Sequence, residues 1–218
     1  MITVPEIVER IVTRTPFLEE ALGKGFLNLS AVARHLRPQI EAELFKEVKE
    51  GAVVMGLRRL AARLQPHGNA LAKVLRNMGD LTLRSGLVEF TFQTSAGLLD
   101  RQRQLLHVMA RRRDSFVAMT QGVAEVTMIV SSSAARDVTR LFDGERLIAR
   151  LDNLSAVTIR LPVKVVKIPG VHYAILKQLA WHDINVVEVV STYTELSIVL
   201  ANADVDRAFA VLKSFLWR

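Results

Sequence analysis

The clearest pattern of hydrophobic and polar positions lies in residues 184–200, INVVEVVSTYTELSIVL. Two apolar runs alternate with period two on either side of a polar tip, which predicts a β-hairpin. The next residues, ANADVDRAFAVLKSFL, begin with a capping signal at Asn202 and Asp204 and then place apolar residues at helical spacing. A helix is therefore expected directly after the hairpin.

The same pattern occurs twice, at a shift of about 70 residues. Glu125 of the first copy corresponds to Glu195 of the second, and Leu105 corresponds to Ile175. Each copy predicts the order strand, helix, hairpin, helix, and the segment RLIARL at 146–151 adds a candidate fourth strand to the first copy. This order is that of a β-α-β-β-α-β unit with a ferredoxin-like arrangement.

The residues before about 65 show helical spacing throughout, and strand patterns are confined to the later part of the chain. The segment QPHGNA at 65–70 contains Pro66 and Gly68, which predicts a linker. We therefore expect an α+β protein in which an all-helical domain precedes two ferredoxin-like units. The expected domain bounds are 1–66, 78–153 and 155–218.

Composition excludes several classes of site. The 218 residues contain no cysteine, so disulfide scaffolds, thiolate metal sites and cysteine nucleophiles are excluded. The five histidines lack the spacing of a metal cluster, and no phosphate-binding glycine loop is present, so no metal or cofactor is expected. No stretch has the length and hydrophobicity of a membrane span or a secretion signal, which predicts a cytoplasmic protein without a membrane partner.

Residues 168–215 begin with IPGVHYAILKQLAWHDINVVEV and continue into the hairpin and final helix. This stretch resembles the ACT domain, and especially the ACT domains of aspartokinases. The shared features are Pro-Gly-Val at the start of a helix, Ile-Asn-Val at the start of a strand, and a Glu-Leu-Ser hairpin. Residues 81–152 resemble the same domain only through the repeat, and the aspartokinase catalytic domain has no counterpart. The resemblance implies a non-enzymatic regulatory protein.

The resemblance also implies a binding site for an amino acid or a similar small effector. The corresponding residues are Ile168, Pro169, Gly170 and Val171, facing Asn185 and Val186 of a neighbouring unit. Free N–H groups at a helix start bind carboxylates, and asparagine offers both a donor and an acceptor. The alternative is that the Pro-Gly pair caps a helix and Asn185 serves a turn. In the first copy, Ser95 is either a ligand contact or a helix cap.

The amino-terminal helices suggest an alternative function. The segment NLSAVARHL, a break expected at Arg37-Pro38, and a later helix with Arg58, Arg59 and Arg63 resemble a helix-turn-helix domain. The formal net charge of +7 is also compatible with a nucleic acid partner. However, the intervening segment carries four glutamates, which would repel phosphates. We favour a helical docking or dimerisation domain over a ligand-responsive DNA-binding regulator.

The carboxyl-terminal unit predicts self-association. Its first strand, AVTIRLPV, includes Pro162, which is expected at a sheet edge, and the nearest segment that could cover this edge is RLIARL. The strand expected at 184–190 is apolar on both faces and should be buried at a subunit contact. We therefore expect a homo-oligomer, most simply a dimer.

Overall fold

A computed structural model describes residues 2–75, 77–112 and 115–217, without the side chains of Pro16 and residues 65–73. The chain divides into two compact units, Met1–Lys73 and Val74–Arg218. The first unit is helical and the second contains an antiparallel sheet with helices. The mixed helix and sheet content agrees with the predicted fold class, and each unit is described by itself.

The helical unit contains α1 (Val4–Thr13), α2 (Pro16–Gly23), α3 (Leu29–Leu44) and α4, which begins at Glu50 and ends at Leu75. Asn28 caps α3, because its side-chain oxygen accepts hydrogen bonds from the backbone N–H groups of Ser30 and Ala31. The apolar faces form one core that includes the fully buried residues Ile7, Val8, Val12, Ala33, Ile40, Val53 and Leu57.

Two predicted breaks in this region are wrong. The expected break at Arg37-Pro38 is absent, because α3 continues through Pro38 to Leu44. The expected linker at 65–70 is helical, since α4 continues through it. Proline and glycine lower helix propensity, but burial of Leu36 and Ile40 on the same face of α3 favours one continuous helix across Pro38.

The described residues of the second unit that follow α4 form six strands and four helices, with 3-10 turns between some of them. In chain order they are β1 (Leu81–Gln93), α5 (Leu98–Ala110), β2 (Val117–Gln121), β3 (Glu125–Ser131), α6 (Ala135–Leu141), β4 (Leu147–Arg160), α7 (Val171–Ala180), β5 (Glu188–Ser191), β6 (Glu195–Ala201) and α8 (Val205–Leu216). The strands form one antiparallel sheet with the order β2-β3-β1-β4-β6-β5.

The two long central strands serve both halves of this sheet. The later part of β1, residues 87–93, pairs with β3, whereas residues 81–84 pair with the end of β4. Conversely, the end of β4 pairs with β6, whereas residues 147–151 pair with β1 alone. The outer strand of each half-sheet is therefore one end of the long strand that begins the other half. Residues 147–151 of β4 form it in the first half, and residues 81–84 of β1 form it in the second.

This exchange corrects two predictions. The segment RLIARL does not cover the strand AVTIRLPV; residues 81–84 cover it instead. That strand is internal, between β1 and β6, and Pro162 lies beyond its last residue, Arg160. Sequence patterns did not identify LTLR at 81–84 as the covering strand because the two segments are more than 70 residues apart.

The repeat is visible in the packing. One core joins β1 and β3 to α5 and α6, and includes Phe90, Leu105, Met128 and Val138. At matching positions of the two half-sheets, Thr91 Oγ1 lies 3.1 Å from Thr127 Oγ1, and Thr158 Oγ1 lies 2.7 Å from Ser197 Oγ. Thr127 and Ser197 are separated by the 70-residue shift of the repeat. The strand-helix-hairpin-helix pattern is therefore confirmed in both copies.

The other face of the sheet is also buried. A second cluster contains Leu87, Ile129, Leu154, Ala156 and Val199, and the neighbouring side chains that pack on it come from β2, β5 or residues next to them. Both central strands deviate from regular geometry here: Gly86 and Asn153 have left-handed φ values of 70° and 56°. Register shifts occur at Arg84/Leu87 and Leu87/Glu89. The bends bring the helix-free faces of the two half-sheets together.

Candidate functional site

The loop from Ile168 to Val171 connects a 3-10 turn at Val163–Lys167 to α7. Gly170 is the capping residue of α7 and has φ = 86°, a left-handed conformation that glycine adopts without steric cost. Val171 is 1% exposed and anchors the helix in the core, whereas Pro169 and Gly170 are exposed. The loop therefore presents backbone, without a polar side chain, at the start of a ten-residue helix.

Asn185 and Val186 lie between α7 and β5. A turn in which Asp183 has φ = 51° and Ile184 N donates to Leu179 O ends the helix. The side chain of Asn185 is exposed, and that of Val186 is half-buried. The observed strand is shorter than the predicted 184–190, because β5 begins at Glu188.

The two groups of predicted ligand-binding residues lie at opposite ends of the half-sheet. The loop at 168–171 follows the end of β4, where Arg160 lies opposite Glu195 of β6. Val187 N instead donates to Val199 O, near the other end of β6. Four residues of strand separate these positions, roughly 13 Å at 3.3 Å per residue. One carboxyl-terminal unit does not bring Gly170 and Asn185 together.

In the first copy, a carboxylate of the protein itself lies against the corresponding loop. Ser95 Oγ donates a 2.6 Å hydrogen bond to Glu145 Oε2. A Cβ atom added to Gly97 would lie 3.0 Å from Glu145 Oε1. Gly97, rather than Ser95, is the capping residue of α5. Sequence reasoning identified Ser95 but missed Glu145, which is 50 residues away.

The second copy differs in this respect. Among the residues that the structure describes, no carboxylate accepts a hydrogen bond from the 168–171 loop, and the residue 70 positions after Glu145 is Phe215. At equivalent helix starts, Glu145 therefore lies against the exposed loop of the first copy, whereas no carboxylate of the described residues bonds to the exposed loop of the second.

The predicted nucleic-acid residues lie on α4. Arg58 and Arg59 are exposed, whereas Arg63 Nη2 lies 2.6 Å from Glu9 Oε2. Other arginines of this unit also pair with acidic residues: Arg34 with Glu50, Arg37 with Glu41, and Arg10 with Glu43. The acidic residues that argued against phosphate binding thus partly neutralise the unit's own arginines.

Residues 2–64, 74–75, 77–112 and 115–217, where the side chains other than that of Pro16 are described, contain no group of three or more histidine or acidic side chains placed to hold a metal ion. Within the same ranges, no helix has both the length and the hydrophobicity needed to cross a membrane.

Comparison with known proteins shows similarity in fold. No protein-family model matches the chain, and no curated protein sequence matches it. The regulatory subunit of aspartate kinase from Thermus thermophilus, in its ligand-free form, superposes with a TM-score of 0.52 and 14% identity, over 63% of this chain and 98% of that one. Aspartate kinase from Clostridium acetobutylicum gives a TM-score of 0.52 and 12% identity, over 63% of this chain and 35% of that one.

Escherichia coli aspartokinase III, in complex with aspartate and ADP, gives a TM-score of 0.50 and 17% identity, over 65% of this chain and 35% of that one. The chain thus spans nearly all of a separate regulatory subunit but about a third of these whole kinases. The region of this chain that is similar to them has the fold of aspartokinase regulatory domains.

Proposed function

We propose that this protein is a non-catalytic regulator that binds an amino acid or a similar small carboxylate through its carboxyl-terminal ACT-like unit. The ligand carboxylate would bind at the Ile168–Val171 loop, against the first-turn N–H groups of α7. Asn185 and Val186 of a second copy would complete the site. The strand pairing supports interpretation of the sheet as two ferredoxin-like units that exchange their outer strands.

The single observation that carries this proposal is the difference between the two helix starts. In the first copy, Glu145 already places a carboxylate at the loop, bound by Ser95. In the second copy, the left-handed Gly170 holds an exposed loop at the start of α7. The carboxylate of a bound ligand would occupy, in the second copy, the position that the Glu145 carboxylate occupies in the first.

The separation of the two groups of site residues supports a site between copies. Gly170 and Asn185 lie at opposite ends of one half-sheet, so a ligand that contacts both requires two chains. β5 is at the end of the strand order, and its outer edge is available for pairing. Ligand binding would then favour one arrangement of protomers, which couples effector concentration to assembly.

The test is a thermal-shift screen with the proteinogenic amino acids on wild-type protein and the Asn185→Ala variant. A ligand at one hundred times its dissociation constant should stabilise the wild type by about 2.7 kcal/mol. Loss of the amide should weaken binding by about 1.5 kcal/mol or more, because it removes a hydrogen bond to a charged group. Gln121→Ala, which truncates an exposed amide in the other hairpin, should bind like the wild type.

A ligand that stabilises Asn185→Ala and the wild type equally would contradict the site assignment. Gly170→Val is a poorer probe, since a β-branched residue at φ = 86° is strained with or without a ligand. Stabilisation by no amino acid or related carboxylate would contradict the proposed effector class.

Nucleic acid binding is the second candidate function, and it depends on Arg58 and Arg59. Both side chains are exposed on α4 and have no ion-pair partner among the described residues. If they contact phosphates, Arg58→Ala with Arg59→Ala should abolish salt-dependent retention on heparin or DNA. Unchanged retention of this double variant would exclude the two arginines as the nucleic-acid surface.

A further inference from the structure

Residues 81–84 form an unpaired outer edge of the second half-sheet. They pair with β4 on one side, and β3 pairs with β1 only from Leu87 onward. Thr82, Leu83 and Arg84 are exposed, and Leu83 is 40% exposed although it is a large apolar residue. An open strand edge of this kind is a template for pairing with another strand.

The backbone of this edge is oriented for such pairing. Arg160 N of β4 donates a 2.9 Å hydrogen bond to Asp80 O, so the polar backbone groups of Asp80 face β4. The direction of hydrogen bonding alternates along an antiparallel strand, and the register with β4 is continuous from Leu81 to Arg84. Leu81 and Leu83 therefore direct their N–H and C=O groups outward. Within the described part of the chain, neither has a backbone partner outside β4.

The sequence of this edge is complementary to itself. Residues 80–84 read Asp-Leu-Thr-Leu-Arg, so an antiparallel pair centred on Thr82 places Asp80 of one copy opposite Arg84 of the other. The same register places the two leucines of one copy opposite those of the other, and these are the residues with outward N–H and C=O groups. The charged pairs then occupy non-hydrogen-bonded positions, where opposite side chains lie closest.

The equivalent edge of the first half-sheet is irregular. Residues 147–151 also pair with β1 alone, but the register shifts at Phe92, and Ile148 has no counterpart in β1. An extra residue of this kind is a β-bulge, which bends the strand and interrupts regular pairing. The edge at 81–84 contains no such shift, so it is the better template for a second strand.

We propose that residues 80–84 form an antiparallel strand contact with the same residues of a second copy of this chain. Pairing would join two six-stranded sheets into one and supply hydrogen-bond partners to the outward backbone groups of Leu81 and Leu83. The contact is isologous, because each copy contributes the same segment. It uses neither β5 nor the residues of the proposed ligand site.

Disulfide formation tests the register, because the chain contains no cysteine of its own. In Thr82→Cys, the two Cα atoms of a non-hydrogen-bonded pair would lie about 4.5 Å apart, within the range of a disulfide. We expect a covalent dimer of the full chain after mild oxidation at low concentration, measured by non-reducing electrophoresis. Ser85→Cys is the matched control: it is exposed on the same strand but would lie roughly 20 Å from its counterpart.

Charge reversal tests the same contact without a covalent bond. Each protein carries Val186→Lys, so that pairing through the edge of β5 does not contribute to the measured association. Arg84→Asp should raise the dissociation constant in sedimentation equilibrium by roughly tenfold or more, because two symmetry-related attractions become repulsions. Asp80→Arg together with Arg84→Asp should restore the affinity. Arg146→Asp, exposed beside the other open edge, should associate like the parent protein.

Cross-linking of Thr82→Cys but not of Ser85→Cys, with rescue by the exchanged charges, supports the proposal. Equal cross-linking of the two cysteine variants, or none in Thr82→Cys, would overturn it. A double charge variant that associates as weakly as Arg84→Asp would overturn the register. Association that Arg146→Asp weakens and Arg84→Asp does not would assign the contact to residues 147–151 instead. Circular dichroism spectra like that of the wild type verify that the variants fold.

Discussion

At the scale of single residues, Glu89 is a buried carboxyl of the sheet unit whose surroundings shift its pKa. Its side chain is 7% exposed, and Oε2 has no hydrogen-bond partner within the described part of the chain. Burial, and to a smaller extent the charge of Glu188, raise the pKa of its carboxyl above the ordinary value. Glu188 belongs to β5, so the charge of one half-sheet acts unfavourably on a carboxylate of the other.

The raised pKa of Glu89 predicts a pH-dependent stability. The unfolded chain releases this proton near pH 4.3, whereas the folded chain retains it to higher pH. The neutral carboxyl therefore makes its full contribution to the free energy of unfolding below about pH 4.3. This contribution is lost as the pH rises through the pKa that Glu89 has in the folded state. Relative to wild type, Glu89→Gln should gain stability between pH 4 and pH 8, by about 1 kcal/mol for a typical buried group.

Denaturant unfolding of both proteins at several pH values measures this difference. Glu125→Gln is the matched control, since Glu125 is exposed at the start of the adjacent strand β3. Its stability relative to wild type should not follow the same curve. A difference between Glu89→Gln and wild type that stays constant from pH 4 to pH 8 would show that Glu89 does not titrate abnormally.

At the scale of single elements, we predict that the chain self-associates through the edge strand β5. The sequence predicts an apolar strand over 184–190 that is buried at a subunit contact, but Val187 and Val190 pack on the cluster around Leu87 and are half-buried within the chain. What remains for a partner is the outer backbone edge of β5 and the residues that precede it. Dimerisation through this edge remains a prediction.

Val186→Lys tests dimerisation at this edge. A charged side chain beside β5 would be desolvated in a strand-to-strand contact, so we expect a lower apparent mass by light scattering at the same concentration. Thr120→Lys, at the exposed end of the opposite edge strand β2, should leave the mass unchanged. A wild type that is monomeric at all concentrations would contradict the prediction, and so would association that only Thr120→Lys disrupts.

At the scale of the whole molecule, the two compact units have separate cores. Leu57 is fully buried in the helical core, and Leu105 is fully buried in the core of the first repeat copy. Separate cores should unfold as separate cooperative transitions, to which the two-state approximation applies individually.

Differential scanning calorimetry should therefore show two transitions that respond to different substitutions. Leu57→Ala should lower only one of them and Leu105→Ala only the other, each by about 2–5 kcal/mol of unfolding free energy. The two variants control for each other. A single transition that both variants lower equally would show that the units unfold together.

The sequence by itself determined the local elements and their order. Period-two alternation predicts the hairpin of β5 and β6, and the 70-residue repeat predicts the equivalent hairpin of β2 and β3, because these patterns depend on which face of a strand is buried. Its Pro-Gly-Val motif also identified a helix start at Gly170, and the structure adds that this glycine is left-handed. Breaks at Pro38 and Pro66 were wrongly predicted, since α3 and α4 continue through them. At Pro38, the packing of Leu36 and Ile40 on one face is stronger than local propensity.

Only the tertiary structure decided which distant segments meet. Residues 81–84 pair with β4, and Glu145 reaches the loop of Ser95 and Gly97. Neither contact has a periodic signal in the sequence, because the residues that meet are between 50 and about 80 positions apart. The burial of Glu89 has the same origin. The alternation along β1 indicates on which face Glu89 lies, but only the packing of the two half-sheets excludes solvent from that face.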